Sequence, residues 1–331
     1  MTELELQTLT APLPGDAPCG ADLQFDADFL ALEEAAAGQP EREYGKTLIP
    51  AKGPDWRSVR QLAMQLALRT RDLRLAVWLT RSGAHLGGLA DAARGLQLVH
   101  ALLQQHWDTV HPQIEPVQAQ GETSRLNAIA PLLRDDAGLA DLRAARLSSQ
   151  RAAITVREIE LAANPGLARK GEPAPTKEGA LAGMAAARQE VTELNTLMLA
   201  AHTAAIGIDE VLTTRLGATR TMELTPLTRL TAALAQIAAL AAGAEAASTP
   251  EATAAATAPA PAMSGEINSR EEAIRALERI CDWIERNEPA SPAPIFIRRS
   301  QQLLQKSFIE IIRDLLPDNV KQIEHFVGKT S

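Results

Sequence analysis

The side chains of this chain that could do chemistry are mostly spaced so that they cannot act together. His106 and His111 flank Trp107-Asp108. A helical zinc pair needs the four-residue step that stacks two ligands on one face, and a five-residue step sends them to different faces. His85, His100, His202 and His325 stand alone, with no cysteine nearby and no His-Glu-x-x-His pattern. Cys19 and Cys281 lie at opposite ends, so they form neither a disulfide framework nor a ligand set, and they read as free thiols of a reducing cytosol. There is no Gly-x-Ser-x-Gly elbow, and neither cysteine sits in a nucleophile signature. Asp135-Asp136 and Glu33-Glu34 are adjacent pairs, which diverge by about 100° on a helix and suit solvated or capping roles. Gly166 to Gly171 is followed by Glu172 where a phosphate-binding loop needs lysine. Trp56, Trp78, Trp107 and Trp283 fall on apolar helical stripes and read as core. No catalytic residue, cofactor-binding residue or metal ligand is therefore expected, and the chain does not read as an enzyme.

The bulk properties favour a different kind of protein. The chain has 331 residues, long enough for two or three domains, with 46% hydrophobic and 22% charged residues. Aromatic residues are only 3%. Burial must therefore come from many small Ala and Leu contacts between helices. The net charge of -8 supplies no basic field to gather nucleic acid or anionic lipid, which leaves a protein partner. Met1 to Leu13 has neither a basic start nor an apolar core of the kind a secretory signal needs.

The predicted elements are helices punctuated by Pro and Gly. Asp26 can cap a helix that ends at Gly38, and a polar loop with Tyr44 and Gly45 follows. Asp55 can open a helix carrying Trp56, Val59, Leu62 and Leu66, and Asp72 one from Leu73 to about Leu86. Another runs from Leu89 to about Val110. Thr155 and Glu158 form a capping box. Helical patterns from about Lys177 to Ile206 and from Pro226 to Ala242 make a hairpin, and Ala244 to Met263 is an Ala/Thr/Pro tract too poor in bulky residues to fold alone. The expected fold is all-α and multi-domain: a helical domain over 1–167, a middle helical domain over 168–243, a flexible linker over 244–265, and a small helical unit over 266–331. Residues 168–175 read as the connection between the first two.

The last unit, about 65 residues, is a thin basis for an independent core, and association would complete it. Ile274, Leu277, Ile284, Leu304, Phe308, Ile311 and Leu315 are the candidate oligomerisation residues, because they recur on amphipathic faces there. Arg298-Arg299 and Lys306 form a small basic patch that suits one side of a protein interface.

Several stretches carry a resemblance. Pro18 to Glu33, Pro54-Asp-Trp-Arg-Ser-Val59, Thr70 to Thr80, His106-Trp-Asp-Thr-Val-His-Pro112 and Arg125-Leu-Asn-Ala128 fall in the order of the ImpA N-terminal domain. The tail from Ser269 through Glu288 to Pro294, and Phe308 to Leu315, resembles the end of the shorter TssA proteins. The resemblance implies a non-enzymatic component of the type VI secretion apparatus. It would form a ring-like homo-oligomer and help baseplate assembly and the priming or capping of tube and sheath. The implied partners are further copies of itself and the baseplate, tube and sheath proteins, with no nucleic acid and no membrane insertion. The implied location is the cytoplasm, with recruitment to the inner-membrane-anchored apparatus through protein contacts. The competing expectation is a helical adaptor that binds one partner without forming a ring.

Overall fold

The computed structural model describes residues 1–39, 42–44, 47–114, 121–217, 222–248 and 292–304, with isolated helical positions between 274 and 284. The architecture is all-α. Its helices are Glu3–Thr10 (α1), Ala27–Ala37 (α2), Trp56–Ala67 (α3), Leu73–Leu86 (α4), Gly88–Gln105 (α5), Gly121–Ile129 (α6), Gly138–Ala144 (α7), Val156–Ala163 (α8), Lys177–Arg188 (α9), Leu194–Leu216 (α10) and Thr225–Ser248 (α11), with a further helix at Ala293–Leu304. Where a polar loop was expected, Arg42–Tyr44 (β1) and Thr47–Ile49 (β2) pair antiparallel, with Arg42 opposite Ile49.

The helix starts follow local chemistry. Asp26, Asp55, Asp72 and Thr176 each accept a hydrogen bond from a backbone N–H of the first turn, which satisfies a donor that the helix itself leaves free. Thr155 and Glu158 form the expected reciprocal capping box. A second box, Thr2 with Glu5, opens α1, a helix that the polar/apolar alternation of the first residues concealed.

Contacts divide the chain into two compact units, Met1–Glu251 and Ala252–Ser331. In the first, α2, α3, α4, α5, α10 and α11 pack one against the next, α1 lies on α5, and α6 and α7 lie on α4. One continuous core runs from Leu9 and Phe29 through Leu96 and Leu103 to Met198, Leu212 and Leu234. The boundary expected at 167/168 falls within this unit, because α10 packs directly on α5 and α11 on α8. Residues 168–175 are tied back: Arg157 holds Glu172 at 2.8 Å and donates to the Leu167 carbonyl at 3.0 Å.

Three helix limits differ from the sequence pattern. The helix expected to reach Val110 ends at Gln105, and His106 closes it as the C-cap. The long pattern from Lys177 breaks into α9 and α10, with turns over 189–193. α11 continues through Ser248, so the first residues of the expected linker are helical, and the rest of that tract lies outside the described residues. Tight packing explains two glycines. A Cβ on Gly95 of α5 would lie 2.6 Å from Thr80 Cα of α4, and Gly88 turns the chain between these helices at φ +66°.

In the second unit, Cys281 is buried with its Sγ 3.9 Å from the Pro294 carbonyl oxygen. Gln301 Nε2 donates to the Ile274 carbonyl at 2.9 Å, so the helical residues around 274–281 lie beside Ala293–Leu304.

Candidate interaction surface

α4 is buried on nearly all sides. Leu73, Leu75, Ala76, Val77, Leu79, Thr80, Ser82, Gly83 and Ala84 are all inside. Apart from Leu86 at its C-terminal end, which is exposed, one stripe remains, Arg74, Trp78, Arg81 and His85, at the four-three-four spacing that keeps side chains on one helical face. Trp78 is half-buried and packs against the core as its apolar spacing suggested, with one side left at the surface, and Trp56 on α3 is half-buried too. Trp107 is core, and Trp283 lies outside the described residues.

The stripe is stitched to its neighbours by charge and stacking. The Arg81 guanidinium lies 4.8 Å from the Trp78 ring centre and 5.3 Å from that of Trp56, and its Nε donates to Asp141 Oδ2 at 2.6 Å. His85 stacks on Trp56, with centroids 4.2 Å apart and planes 12° from parallel, while its Nε2 meets Asp141 Oδ1 at 2.7 Å. At the other end, Arg74 covers Phe29 at 4.8 Å, pairs with Asp72 at 2.6 Å and reaches Asp22 at 2.8 Å. Burial pulls the Arg74 pKa down, but hydrogen bonding and charge from Asp72 outweigh it and raise it above the usual arginine value.

Beside Trp78 opens a cleft of about 370 Å³. Phe29, Val77, Trp78, Pro112, Ala128 and Pro131 form its apolar lining, and Gln24, Glu33, Arg74, Ser124 and Asn127 its polar edge. Arg125 fixes one wall from below. Its buried guanidinium donates to the carbonyls of Trp107 (2.6 Å), Val110 (2.8 Å) and Pro112 (3.0 Å) and lies 4.7 Å from the Trp107 ring centre. The His111-Pro112 peptide in that wall is cis. Burial pushes the Arg125 pKa down to about 10, against the pull of Asp108 and Cys19.

Two of the histidines hold backbone. His106 Nε2 meets the Thr10 carbonyl at 2.8 Å and His111 Nε2 that of Gly20 at 3.0 Å. Asp135 pairs with Arg143 and Asp136 with Arg134, both at 2.6 Å. Among the described residues no three His, Cys, Asp or Glu side chains converge on a possible metal position. A second groove, of about 540 Å³ between α1, α5 and α10, is edged by amides and hydroxyls such as Gln7, Gln97 and Thr203, together with His100, whose pKa burial lowers. The α4 surface is suited to binding: half-buried Trp and Arg are the side chains that most often anchor protein interfaces.

Residues 10–134, which contain the whole stripe and the cleft, match the family described as ImpA, N-terminal, type VI secretion system. The chain is 34% identical to the type VI secretion system component TssA1 of Pseudomonas aeruginosa, over 99% of both chains. It belongs to the TssA family. The solved N-terminal domain of the TssA component of the type VI secretion system from Burkholderia cenocepacia, which includes the conserved ImpA_N region, superposes with a TM-score of 0.50 at 26% identity. That match covers 74% of this chain and 96% of that domain.

In this TssA-family chain the candidate oligomerisation residues sit in the second unit. Ile274, Leu277 and Ile284 are helical and half-buried, and Leu304 ends the helix that begins at Ala293. Phe308, Ile311 and Leu315 lie outside the described residues. Sequence reasoning missed the α4 stripe because its members were not weighed together: Trp78 was read as core, His85 as an isolated side chain with no ligand role, and the two arginines were not weighed. Read together, 74, 78, 81 and 85 fall on one face of α4, the face that its neighbours leave partly open.

Proposed function

We propose that this chain is a non-enzymatic structural component of a type VI secretion system. It self-assembles through residues 266–331 into a ring-like oligomer and helps baseplate assembly and the priming or capping of tube and sheath. The observation that carries this reading is the end-to-end similarity to TssA1, over 99% of each chain, which reaches the tail as well as the N-terminal region. The second unit supports self-association on physical grounds. It is small, and Ile280 and Phe296 are 47% and 69% exposed, apolar area that a further copy could cover. Of the candidate residues, Ile274, Leu277, Ile284, Leu304, Phe308, Ile311 and Leu315 would divide between the protomer's own packing and the contact with its neighbour. The first unit, over 1–251, would present the surface for baseplate, tube or sheath proteins. Among the described residues no helix is long and apolar enough to cross a membrane, so attachment to the membrane-anchored apparatus would run through protein contacts.

Light scattering tests the assembly. The full-length chain should have a defined mass of many protomers, and a chain lacking residues 264–331 should stay helical but fall to a much smaller mass. Leu304→Asp or Phe308→Asp should dissociate the ring where those side chains face a neighbour, since burying an unpaired carboxylate costs several kcal/mol. A full-length chain that stays monomeric at tens of micromolar would remove the ring and leave the adaptor reading.

A further inference from the structure

The cleft beside Trp78 combines an apolar floor with an edge carboxylate, Glu33, that forms no ion pair among the described residues, and we propose that it takes an apolar side chain flanked by a lysine or arginine, presented by a segment of another protein. This deepens the proposed function by giving the chemistry of the partner at the N-terminal unit.

The floor comes from Phe29, Val77, Trp78, Ala128 and the two prolines 112 and 131, and the volume of about 370 Å³ suits one or two side chains. Its walls are held by contacts within the chain: Arg125 clamps the 107–112 segment, and Arg81 lies over the Trp78 ring. A preformed pocket spares the ordering cost that weakens binding to loose surfaces.

The carboxylates around the cleft lie on α2, in the turn before it and at the start of α4. Arg69 stands between Asp26 and Asp28, and Arg74 between Asp22 and Asp72, so each guanidinium is outnumbered. Glu33 on the cleft edge is exposed and makes no ion pair among the described residues. Arg74 therefore cannot serve an acidic partner, because its charge is already over-neutralised. The one polar group at the rim with an unmet charge is the Glu33 carboxylate, and its complement is a cation. Phe25 in the turn before α2 and Leu30 on it, 84% and 54% exposed, are further apolar surface.

The test uses the full-length chain and two alanine-based helical peptides, one with leucines beside lysines and a matched one with leucines beside glutamates. The leucine–lysine peptide should bind saturably and the leucine–glutamate peptide should not. Glu33→Lys and Trp78→Ala should each weaken binding by about tenfold or more, while Glu223→Lys, between α10 and α11, should leave it unchanged. Glu33 is exposed, so its substitution does not threaten folding. Equal weakening by Glu33→Lys and Glu223→Lys would reduce the effect to overall charge and overturn the proposal, as would equal binding of both peptides or none of either. A fall in oligomer mass on Glu33→Lys without peptide would assign the cleft to a second copy of this chain, also against the proposal. Light scattering on the same samples keeps the two readings apart: a monomer that binds the peptide sinks the ring alone, and a ring that ignores it sinks the cleft alone.

Discussion

Arg81 and Asp141 meet at 2.6 Å across the gap between α4 and α7, and this contact holds a guanidinium against the faces of two tryptophans from different helices. Both partners are largely shielded, with side chains 12% and 11% exposed, so the pair is screened less than a surface salt bridge. It links the half-buried Trp56 and Trp78 into one surface.

Arg81→Met keeps the aliphatic stem and removes the charge. The chain should lose about 2 kcal/mol in urea unfolding, since it forfeits two cation–π contacts and leaves Asp141 with His85 alone. Asp141→Asn should cost a similar amount, and the double substitution less than both together. Strict additivity would show that the two side chains act independently.

Arg125→Lys should be more damaging than its chemical conservatism suggests. One ammonium cannot reach the carbonyls of residues 107, 110 and 112 at once in the geometry of the guanidinium fork. Stranding those buried acceptors should cost about 3 kcal/mol. The cleft wall should loosen with it, read as faster amide exchange across 106–112 than across α5. Exchange as slow as in the parent chain would show that the loop does not depend on this clamp.

The loop over 168–175 should be held by a carboxylate down to strong acid. The Arg157 guanidinium, with help from the Arg169 backbone N–H, lowers the Glu172 pKa from 4.5 to about 2. A depressed carboxylate pKa stabilises the folded form above the unfolded value, and that contribution is lost as pH falls toward the folded one. Chemical shifts of the loop should therefore stay constant from neutral pH to about pH 4 and change only between there and about pH 2. Glu172→Gln should abolish that titration and loosen the loop at pH 7. A transition centred near pH 4.5 in the parent chain would show that the ion pair does not form in solution.

The sequence by itself determined the helices and most of their beginnings. Apolar residues at three- and four-residue steps, with Asp26, Asp55, Asp72 and Thr155 just ahead of them, encode structure through contacts within a few residues. The motifs from Pro18 to Ala128 likewise pointed to the family, because they are read in order along the chain. What the sequence could not determine was decided by contacts between residues far apart. Trp56 and Trp78 have the spacing of core residues, and only the packing of α3 and α7 on α4 leaves one side of each open against Arg81. The division at residue 167 looked like a domain boundary because Pro and Gly cluster there, yet α10 buries its face on α5, almost a hundred residues earlier. Periodicity records that a face must be covered and says nothing about which element covers it. That choice is made by shape and charge across the whole unit, and it turned four positions of one helix into a surface.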